Sequence, residues 1–253
     1  MKQSFHRVFF VSNDDFVSPD RARINPSDSF HIVQVLRMNA GEKVLVSTMK
    51  GKYEAEILDA NAKAVLIGIG RCLEALKEDL PYIVLIQAIP KLKKMDEIIE
   101  KATEFGVNEV IPVISSRSQL SLNAPSLKGK EERWKRVAVA ASKQSRRQRP
   151  TLIHPPQYLD VWANSIDHND QMVKILLWEL EDKRSLIHMI PQLKKQIKVA
   201  LCVGPEGGFT IQEVQSLTQI GFVSCSLGQQ ILKTETAGPF AVGFLKFALE
   251  GEQ

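Results

Sequence analysis

The last quarter of the chain constrains the fold most, because two apolar runs there each lead into a glycine turn. Residues 199–203 are apolar and rich in β-branched side chains, as a buried strand is, and three glycines follow within five positions. Thr210 and Glu213 then fit the capping box that begins a helix. Residues 222–227 and Gly228 repeat the strand and the turn before a second apolar helix. Two such units in tandem predict an α/β domain with ligand-binding turns at the carboxyl ends of its strands.

The first glycine turn allows more than one interpretation. Glycines are common in ordinary βα turns, so the pattern alone does not identify a ligand. A phosphate-binding Walker loop needs Gly-Lys-Ser/Thr after its glycines, whereas Phe209 and Thr210 follow here. The dinucleotide pattern G-x-G-x-x-G is also absent from this turn. The turn therefore predicts close approach of the backbone to a ligand, without naming the ligand.

Strands and helices alternate from Tyr82 onward, which predicts an α/β fold with a mainly parallel sheet. Residues 82–89 form a near-continuous apolar run, typical of a strand that is covered on both faces. Residues 95–105 carry apolar side chains at helical spacing, and Gly106 ends that helix. Further strands are predicted at 110–114 and 172–178, and further helices at 131–145 and 185–195.

The N-terminal part of the chain instead predicts short strands joined by tight turns, as in a small β-barrel. One helix interrupts these strands; residues 27–29 offer its cap, and its apolar side chains continue to Leu36. Residues 71–81 are polar and end in proline, which is typical of a junction between domains. We therefore predict one domain at 1–72 and a second at 73–253.

The composition of the 253 residues, 44% hydrophobic and 25% charged, is that of a soluble globular protein. A net charge of +4 is compatible with binding to nucleic acid. The N-terminus does not read as a signal peptide and no run approaches about 20 apolar residues, so we expect a cytoplasmic protein without a membrane partner. The histidines and cysteines show no metal-ligand spacing, so we predict no metal site. Cys202 and Cys225 fall inside predicted strands and are expected to be buried free thiols.

Several motifs along the chain resemble those of one enzyme family, the 16S ribosomal RNA (uracil-N3) methyltransferases. The main ones are GPEGGFT at 204–210, LGQQILKTETA at 227–237, KATEFGV at 101–107 and HIVQVLR at 31–37. The first two motifs together are specific, whereas either alone would be weak. The matches occur in order over nearly the whole chain.

This resemblance implies a C-terminal α/β domain of the knotted SPOUT class, in which the chain threads through a loop to form a trefoil knot, an exception to normal topology. It also implies an N-terminal PUA-like β-barrel that binds RNA. The implied cofactor is S-adenosyl-L-methionine, and the implied reaction is methylation of N3 of a specific uridine in 16S rRNA of the assembled small ribosomal subunit. A homodimer is implied as well, and the final helix offers Phe240, Phe244 and Phe247 as surface for it.

The resemblance places the cofactor on segments that follow predicted strands. The predicted cofactor-binding residues are Leu177, Trp178, Gly204, Pro205, Glu206, Gly207, Gly208, Leu227, Gly228, Ile231, Leu232 and Thr236. Ile231 and Leu232 are equally compatible with a place in the core, because adenine needs an apolar wall. Glu206 is compatible with either a functional or a structural role.

Methyl transfer to uracil N3, which is weakly acidic, needs a cation or N–H donors near O2 or O4, or else a general base. The candidate catalytic residues are Lys233, Glu235 and Arg117. The family pattern has arginines where Gln230 and Lys233 stand, and lysine keeps the charge without the guanidinium fork. Glu235 is either a base or an acid favoured by the dipole at a helix start, and we favour the second role.

Two groups of basic residues are candidates for RNA contact. One group consists of Arg7, Arg21, Arg23 and Arg37, and the other consists of Lys143, Arg146, Arg147 and Arg149. A solvated barrel surface explains the first group as well as RNA does. For the second group, a solvated helix end is the alternative, since cations favour helix C-termini. The density of the second group, without any acid in it, favours an RNA backbone.

The leading hypothesis is therefore an S-adenosyl-L-methionine-dependent rRNA methyltransferase. A related knotted methyltransferase that acts on another RNA group, such as a ribose 2′-hydroxyl, is the alternative enzyme. A ribosome-assembly factor that binds RNA without catalysis is the alternative outside enzymes. The departures at Gln230 and Lys233 motivate it, whereas the intact glycines oppose it.

Overall fold

The computed structural model describes residues 8–48, 50–75, 79–91, 94–118, 121–166, 171–193 and 198–250. The chain divides into two compact units, of which the first comprises Met1–Glu78 and Ser142–Pro150. The second comprises Asp79–Ala141 and Thr151–Gln253. The boundary after the N-terminal part thus lies between residues 78 and 79, whereas the sequence predicts it between residues 72 and 73. The second basic group, at 143–149, belongs to the first unit.

The first unit is built on a six-stranded sheet. Its strands are β1 (Val8–Phe10), β2 (Phe16–Ser18), β3 (Arg21–Arg23), β4 (Lys43–Thr48), β5 (Gly51–Asp59) and β6 (Leu66–Ala75). Their order is β1-β4-β5-β6-β3-β2; β1 pairs parallel with β4, and the other pairs are antiparallel. Phe9, Ile57 and Ile67 lie in the core of this unit. β6 continues into the polar stretch predicted as a linker, because Glu74 and Ala75 pair with the start of β5.

A short helix, α1 (Pro26–Phe30), and a π-helical turn (His31–Val35) interrupt these strands. The cap expected at 27–29 is instead Asn25, whose Oδ1 accepts the N–H of Asp28 at 3.0 Å. Pro26 explains the difference, because a proline fits the first helical position and leaves the preceding residue as the cap. Phe30, Val35 and Leu36 are exposed, whereas Ile32 is fully buried, so this segment buries only part of the face expected from its spacing.

The second unit contains a seven-stranded sheet with only parallel pairs. Its strands are β7 (Tyr82–Ala88), β8 (Glu109–Ile114), β9 (Leu152–Ile153), β10 (Gln157–Tyr158), β11 (Met172–Leu177), β12 (Lys198–Val203) and β13 (Val223–Cys225). The order is β10-β8-β7-β12-β11-β13, and β9 pairs with β8 beside β10. β12 pairs with β7 on one side and with β11 on the other over its full length. The predicted parallel sheet is confirmed.

Helices cover both faces of this sheet. They are α2 (Lys94–Glu104), α3 (Lys130–Gln144), α4 (Leu159–Ser165), α5 (Ile211–Gln219) and α6 (Thr234–Glu250). Successive residues of a strand point to opposite faces, so Leu201 packs in one core and Cys202 in the other. Burial on both faces explains why these strands read as continuous apolar runs.

The connector from β11 to β12 differs from its prediction. The sequence predicts a helix at 185–195, whereas the structure has a 3-10 helix, Leu186–Gln192; residues 194–195 lie outside the described part. Pro191 lacks the N–H that a continuing α-helix needs. The connector is also hydrogen-bonded to the chain after β13: the Ser226 N–H donates to the Arg184 carbonyl at 2.8 Å, and the Ser226 carbonyl accepts from the N–H of Leu186 at 2.9 Å.

The two cysteines predicted to be buried are buried, which confirms that prediction. Cys202 and Cys225 are 0% exposed, and each has a free thiol. Burial raises the pKa of the Cys225 thiol to about 11 and also raises the pKa of the Cys202 thiol, since a low dielectric disfavours the thiolate. Both thiols are therefore protonated near neutral pH and are poor nucleophiles.

The described residues contain neither a membrane-spanning helix nor a metal-binding cluster. None of the described helices is long and apolar enough to cross a bilayer. Within the same part of the chain, no group of three or more His, Cys, Asp or Glu side chains is arranged to hold a metal ion.

Candidate functional site

A cleft of about 530 Å³ lies at the carboxyl ends of the parallel strands in the second unit. It is lined by the ends of three strands and the residues that follow them, namely 177–179 and 181 at β11, 203–208 at β12 and 225–235 at β13. Parallel strands end at the same sheet edge, which is why segments distant in sequence meet there. The volume is in the range of small-molecule sites.

Eleven of the twelve predicted cofactor-binding residues line this cleft; they are residues 177–178, 204–208, 227–228 and 231–232. Thr236 does not line it and is exposed on the first turn of α6. Of the two residues offered as core alternatives, Ile231 is 80% exposed, whereas Leu232 packs against the core. Trp178 also packs partly against the core on the opposite face of the sheet.

The first glycine turn is closed by its own backbone. Gly208 has φ +67°, a left-handed conformation that favours glycine, and its N–H donates to the Pro205 carbonyl at 2.9 Å. Thr210 then caps α5 through the predicted box with Glu213, which is confirmed. Arg117, which follows β8, donates from Nη1 to the Gly207 carbonyl at 2.6 Å. The candidate catalytic Arg117 is therefore bound to the turn and is not itself among the lining residues.

The second glycine turn leaves open space at Gly228. Gly228 has φ +113°, and no described atom lies within 4 Å of the position that a Cβ would take. A side chain at this position would stand on a strained backbone, and its Cβ would contact none of the described atoms within 4 Å. Glycine is therefore required for its conformation, and its surroundings have room for a ligand.

Thr234, which the sequence analysis did not include among the site residues, connects the first glycine turn to β7 through its hydroxyl group. Its Oγ1 donates to the Gly204 carbonyl at 2.6 Å and accepts from Gln87 Nε2 at 3.1 Å. Gln87 is fully buried in β7, and within the described part of the chain its Oε1 has no hydrogen-bond partner. The available sequence signal was a glutamine inside the apolar run at 82–89, since a buried amide needs polar partners.

Lys94 is a second cleft residue missing from the prediction. At the start of α2, its Nζ lies 3.4 Å from Glu206 Oε1 and 3.2 Å from Glu235 Oε1. The hydrogen bond to Glu235 is the main cause that raises the pKa of Lys94. Burial raises the pKa of the Glu235 carboxyl, but its own backbone N–H and Lys94 outweigh this, so that its pKa lies below the usual range. Glu235 is therefore ionised and paired at neutral pH.

Lys233 and Gln230 both line the cleft, so the two positions that depart from the family pattern lie there. Lys233 is exposed, and it is the residue directly before α6. The cleft therefore holds one catalytic candidate with its charge available, Lys233, and one whose charge is engaged by Lys94, Glu235.

The basic candidates for RNA contact lie in the first unit. Arg21 and Arg23 are exposed on β3 on either side of buried Ala22, and Arg37 is exposed with φ +55°. Arg7 lies outside the described residues. The guanidinium groups of these three arginines are therefore accessible both to solvent and to the phosphates of an RNA backbone.

The second basic group begins in the last turn of α3 and belongs to the first unit. Lys143 Nζ lies 2.6 and 2.7 Å from the carboxylate oxygens of Asp28 on α1, and both side chains are largely buried. The Gln148 carbonyl accepts from Ser47 Oγ on β4. Arg146 is exposed with φ +57°. Lys143 therefore holds the segment in place, whereas Arg146 faces solvent.

Comparisons with known proteins give a consistent family. The model of the RNA methyltransferase domain matches residues 77–246, and the model of the RNA methyltransferase PUA domain matches residues 24–70. The chain is 31% identical over 238 residues to ribosomal RNA small subunit methyltransferase E of Bacillus subtilis, covering 90% of each chain. It is 29% identical to the protein of that name from Buchnera aphidicola subsp. Schizaphis graminum, covering 94% of each.

A solved structure shows the same fold. The crystal structure of ribosomal RNA small subunit methyltransferase E from Neisseria gonorrhoeae bound to S-adenosyl methionine matches with a TM-score of 0.75 at 25% identity. The match covers 95% of this chain and 97% of that one. The predicted fold class, a SPOUT-type α/β domain with a mainly parallel sheet and a PUA-like N-terminal domain, is confirmed.

The hydrogen bonds of Thr234 lead to a stability prediction. Thr234→Val keeps the shape of the side chain but removes the hydroxyl donor of the Gly204 carbonyl and one of the two acceptors of the Gln87 amide, whose other acceptor is the Ala88 carbonyl. A buried unsatisfied group costs about 1–3 kcal/mol, so we expect the free energy of unfolding to fall by that amount. Urea denaturation measures it.

Two further variants control this measurement. Thr234→Ser keeps the hydroxyl and should recover most of the loss, and Thr236→Val alters an exposed threonine and should have little effect. A Thr234→Val protein as stable as the wild type would contradict the role of this hydroxyl.

Proposed function

This chain belongs to the RNA methyltransferase family, and we propose that it methylates N3 of a specific uridine in 16S ribosomal RNA with S-adenosyl-L-methionine as the methyl donor. The names of its relatives specify small subunit ribosomal RNA, and the Neisseria structure holds that cofactor. The observation that carries the proposal is the cleft built from the two glycine turns. We further propose the assembled small subunit as the substrate and the cytoplasm as the location.

The cleft residues fit this cofactor. The space around the Cβ position of Gly228 is open, whereas Gly204 is close-packed, since a Cβ there would lie 3.3 Å from Gly208. Leu177, Leu227 and Leu232 supply apolar wall for adenine. Backbone carbonyls and amides of the two turns supply polar contacts without a metal. Thr236 lies outside the cleft, so we leave it out of the proposed cofactor contacts.

Bound S-adenosyl-L-methionine supplies an electrophilic methyl group, and uracil N3 must lose its proton to accept it. The acceptor and the methyl carbon need an approach of about 3–3.5 Å in line with sulfur, so the turns must hold the donor still. Arg117 contributes by fixing the carbonyl of Gly207. Lys233, at the cleft and without an ion pair among the described residues, is the proposed cation near O2 or O4 of the uracil anion.

Glu235 is less suited to be the general base. Its pKa is below the usual range, so the carboxylate is a weak proton acceptor, and Lys94 already engages it. We therefore assign Glu235, with Glu206, to holding Lys94 at the cleft. The proposed activation of N3 is electrostatic, and the proton leaves to solvent.

The proposed function is tested by product analysis. Small subunits lacking the modification are incubated with the protein and the cofactor, and the modified nucleoside is identified and mapped. The expected product is 3-methyluridine; a 2′-O-methyl nucleoside indicates the related knotted enzyme, and binding of RNA without any product indicates the assembly factor.

The site is tested by a matched pair of glycine variants. Gly228→Val should weaken cofactor binding at least about tenfold, because it strains the left-handed backbone of a turn that lines the cleft and adds a side chain in the open space proposed for the cofactor; tenfold corresponds to about 1.4 kcal/mol. Gly129→Val is the control, because Gly129 also has positive φ and no described atom within 4 Å of its Cβ position, but it does not line the cleft. Calorimetric titration measures both, and unchanged affinity in folded Gly228→Val would refute this placement.

The proposed RNA contacts are Arg21, Arg23, Arg37, Arg146 and Arg149, with Arg7 and Arg147 retained from the sequence. Lys143 is set apart, because its charge is neutralised by Asp28. The ion pair fixes a segment whose remaining cations belong to the same compact unit as the PUA match. The first unit is thus proposed to position RNA and the second to bind the cofactor.

Neutralising Arg146 and Arg149 together should weaken RNA binding and flatten its salt dependence. Each lost phosphate contact should lower the log–log slope by roughly 0.7–0.9, because fewer counterions are released. Lys63→Ala removes an exposed cation from the same unit and serves as the control. Binding isotherms between low and high salt measure the slope, and an unaltered slope in the double variant would exclude these contacts.

We also propose a homodimer formed through α6. Phe240 and Phe247 are exposed, the latter at 82%, and Phe240 stacks on Phe244 with ring centroids 6.3 Å apart. Exposed aromatic side chains one and two turns apart form an apolar stripe, which is typical of an interface.

The dimer proposal predicts the effect of a charge on this stripe. Phe247→Asp should shift the protein from dimer to monomer in light scattering, because the interface would bury an unpaired carboxylate. Val161→Asp places the same charge at an exposed apolar residue of α4 and should leave the dimer intact. A monomeric wild type at working concentration would contradict the proposal.

A further inference from the structure

The four carboxylates that line the cleft differ in what they bind. They are Glu179, Glu181, Glu206 and Glu235. Glu206 and Glu235 share Lys94. The negative charges of Glu206 and Glu235 are therefore largely compensated by Lys94.

The carboxylate of Glu181 is also engaged. It accepts from Ser224 Oγ, from the N–H of Lys183 at 2.9 Å and from the N–H of Arg184 at 3.1 Å. Glu179 differs, since no ion pair or hydrogen bond to its carboxylate occurs among the described residues. Glu179 therefore brings an uncompensated negative charge to the cleft.

The carboxylate of Glu179 lies directly against the first glycine turn. A Cβ built on Gly208 would be 1.9 Å from Glu179 Oε1, so the carboxylate packs directly against the backbone of this glycine. The neighbouring Gly207 is covered from another side by Arg117, whose Cδ lies 3.4 Å from the corresponding Cβ position. An anion and a cation thus flank adjacent residues of one turn.

We infer that Glu179 recognises the sulfonium charge of S-adenosyl-L-methionine and discriminates it from the uncharged thioether product, S-adenosylhomocysteine. The inference rests on the proposed function. Donor and product differ at the sulfur, which carries a methyl group and a positive charge only in the donor. Among the described residues that line the cleft, Glu179 is the carboxylate without an ion pair or hydrogen bond, and it lies against the first glycine turn, which is proposed to hold the cofactor. Its negative charge is therefore the one available to attract the sulfonium.

This role has a consequence for turnover. Attraction between the carboxylate and the sulfonium is present before transfer and lost after it, because the methyl group leaves with the positive charge and the electron pair stays on sulfur. The interaction stabilises the bound donor more than the transition state, where the charge is already decreasing. Glu179 is thus expected to lower KM for the donor and to ease release of the product, without raising kcat.

Calorimetric titration of the full-length protein with each nucleoside tests the inference. Glu179→Gln keeps the size of the side chain and removes its charge; we expect about three- to tenfold weaker binding of S-adenosyl-L-methionine and less than a twofold change for S-adenosylhomocysteine. Asp182→Asn removes a charge from the same connector, outside the cleft lining, and should change neither affinity. Equal losses for both nucleosides, or no loss for either, would overturn the inference.

Steady-state kinetics give a second readout. In Glu179→Gln the KM for the donor should rise by the same factor as its dissociation constant, with kcat unchanged or higher, and inhibition by S-adenosylhomocysteine should become relatively stronger. A lower kcat with an unchanged KM would overturn the sulfonium role. If the wild type does not bind the donor at all, the proposed function itself fails, which separates that outcome from failure of the inference alone.

Discussion

The structure of the second unit depends on β12 lying at the centre of a parallel sheet, paired residue by residue with β7 and β11. Because these strands run in one direction, the turns that follow them emerge at one edge. Because both faces are buried, the strands are mostly apolar, and the cleft lies at that edge. The glycine turn after β12 thereby meets the turn after β13 and the start of α2.

Hydrogen bonds at this edge hold the segments around the cleft in fixed positions. The Thr234 hydroxyl connects the Gly204 carbonyl with the Gln87 amide, so α6, β12 and β7 share one buried polar contact. Such a contact is specific, since each buried polar atom that loses its partner costs more than the bond itself contributes. The glycine turns then need no large side chains of their own to keep their shape.

Charge is distributed in the cleft by pairing. Lys94 neutralises Glu206 and Glu235, and hydrogen bonds hold Glu181, which leaves Glu179 and Lys233 as the charges available to a ligand. In the first unit, Asp28 engages Lys143, and Arg146 beyond it is exposed.

The sequence by itself determined the parallel sheet, the boundaries of most of its elements and the two glycine turns, because apolar periodicity and capping are local signals. Eleven of the twelve residues that the family resemblance predicts to bind a cofactor line the cleft. Only the tertiary structure decided that Lys94 and Thr234 belong to the cleft and that Thr236 does not. It also assigned the basic segment at 142–150 to the N-terminal unit. These are pairings between residues far apart in the chain, such as Lys143 with Asp28, and no local pattern specifies which distant side chain will neutralise a buried charge.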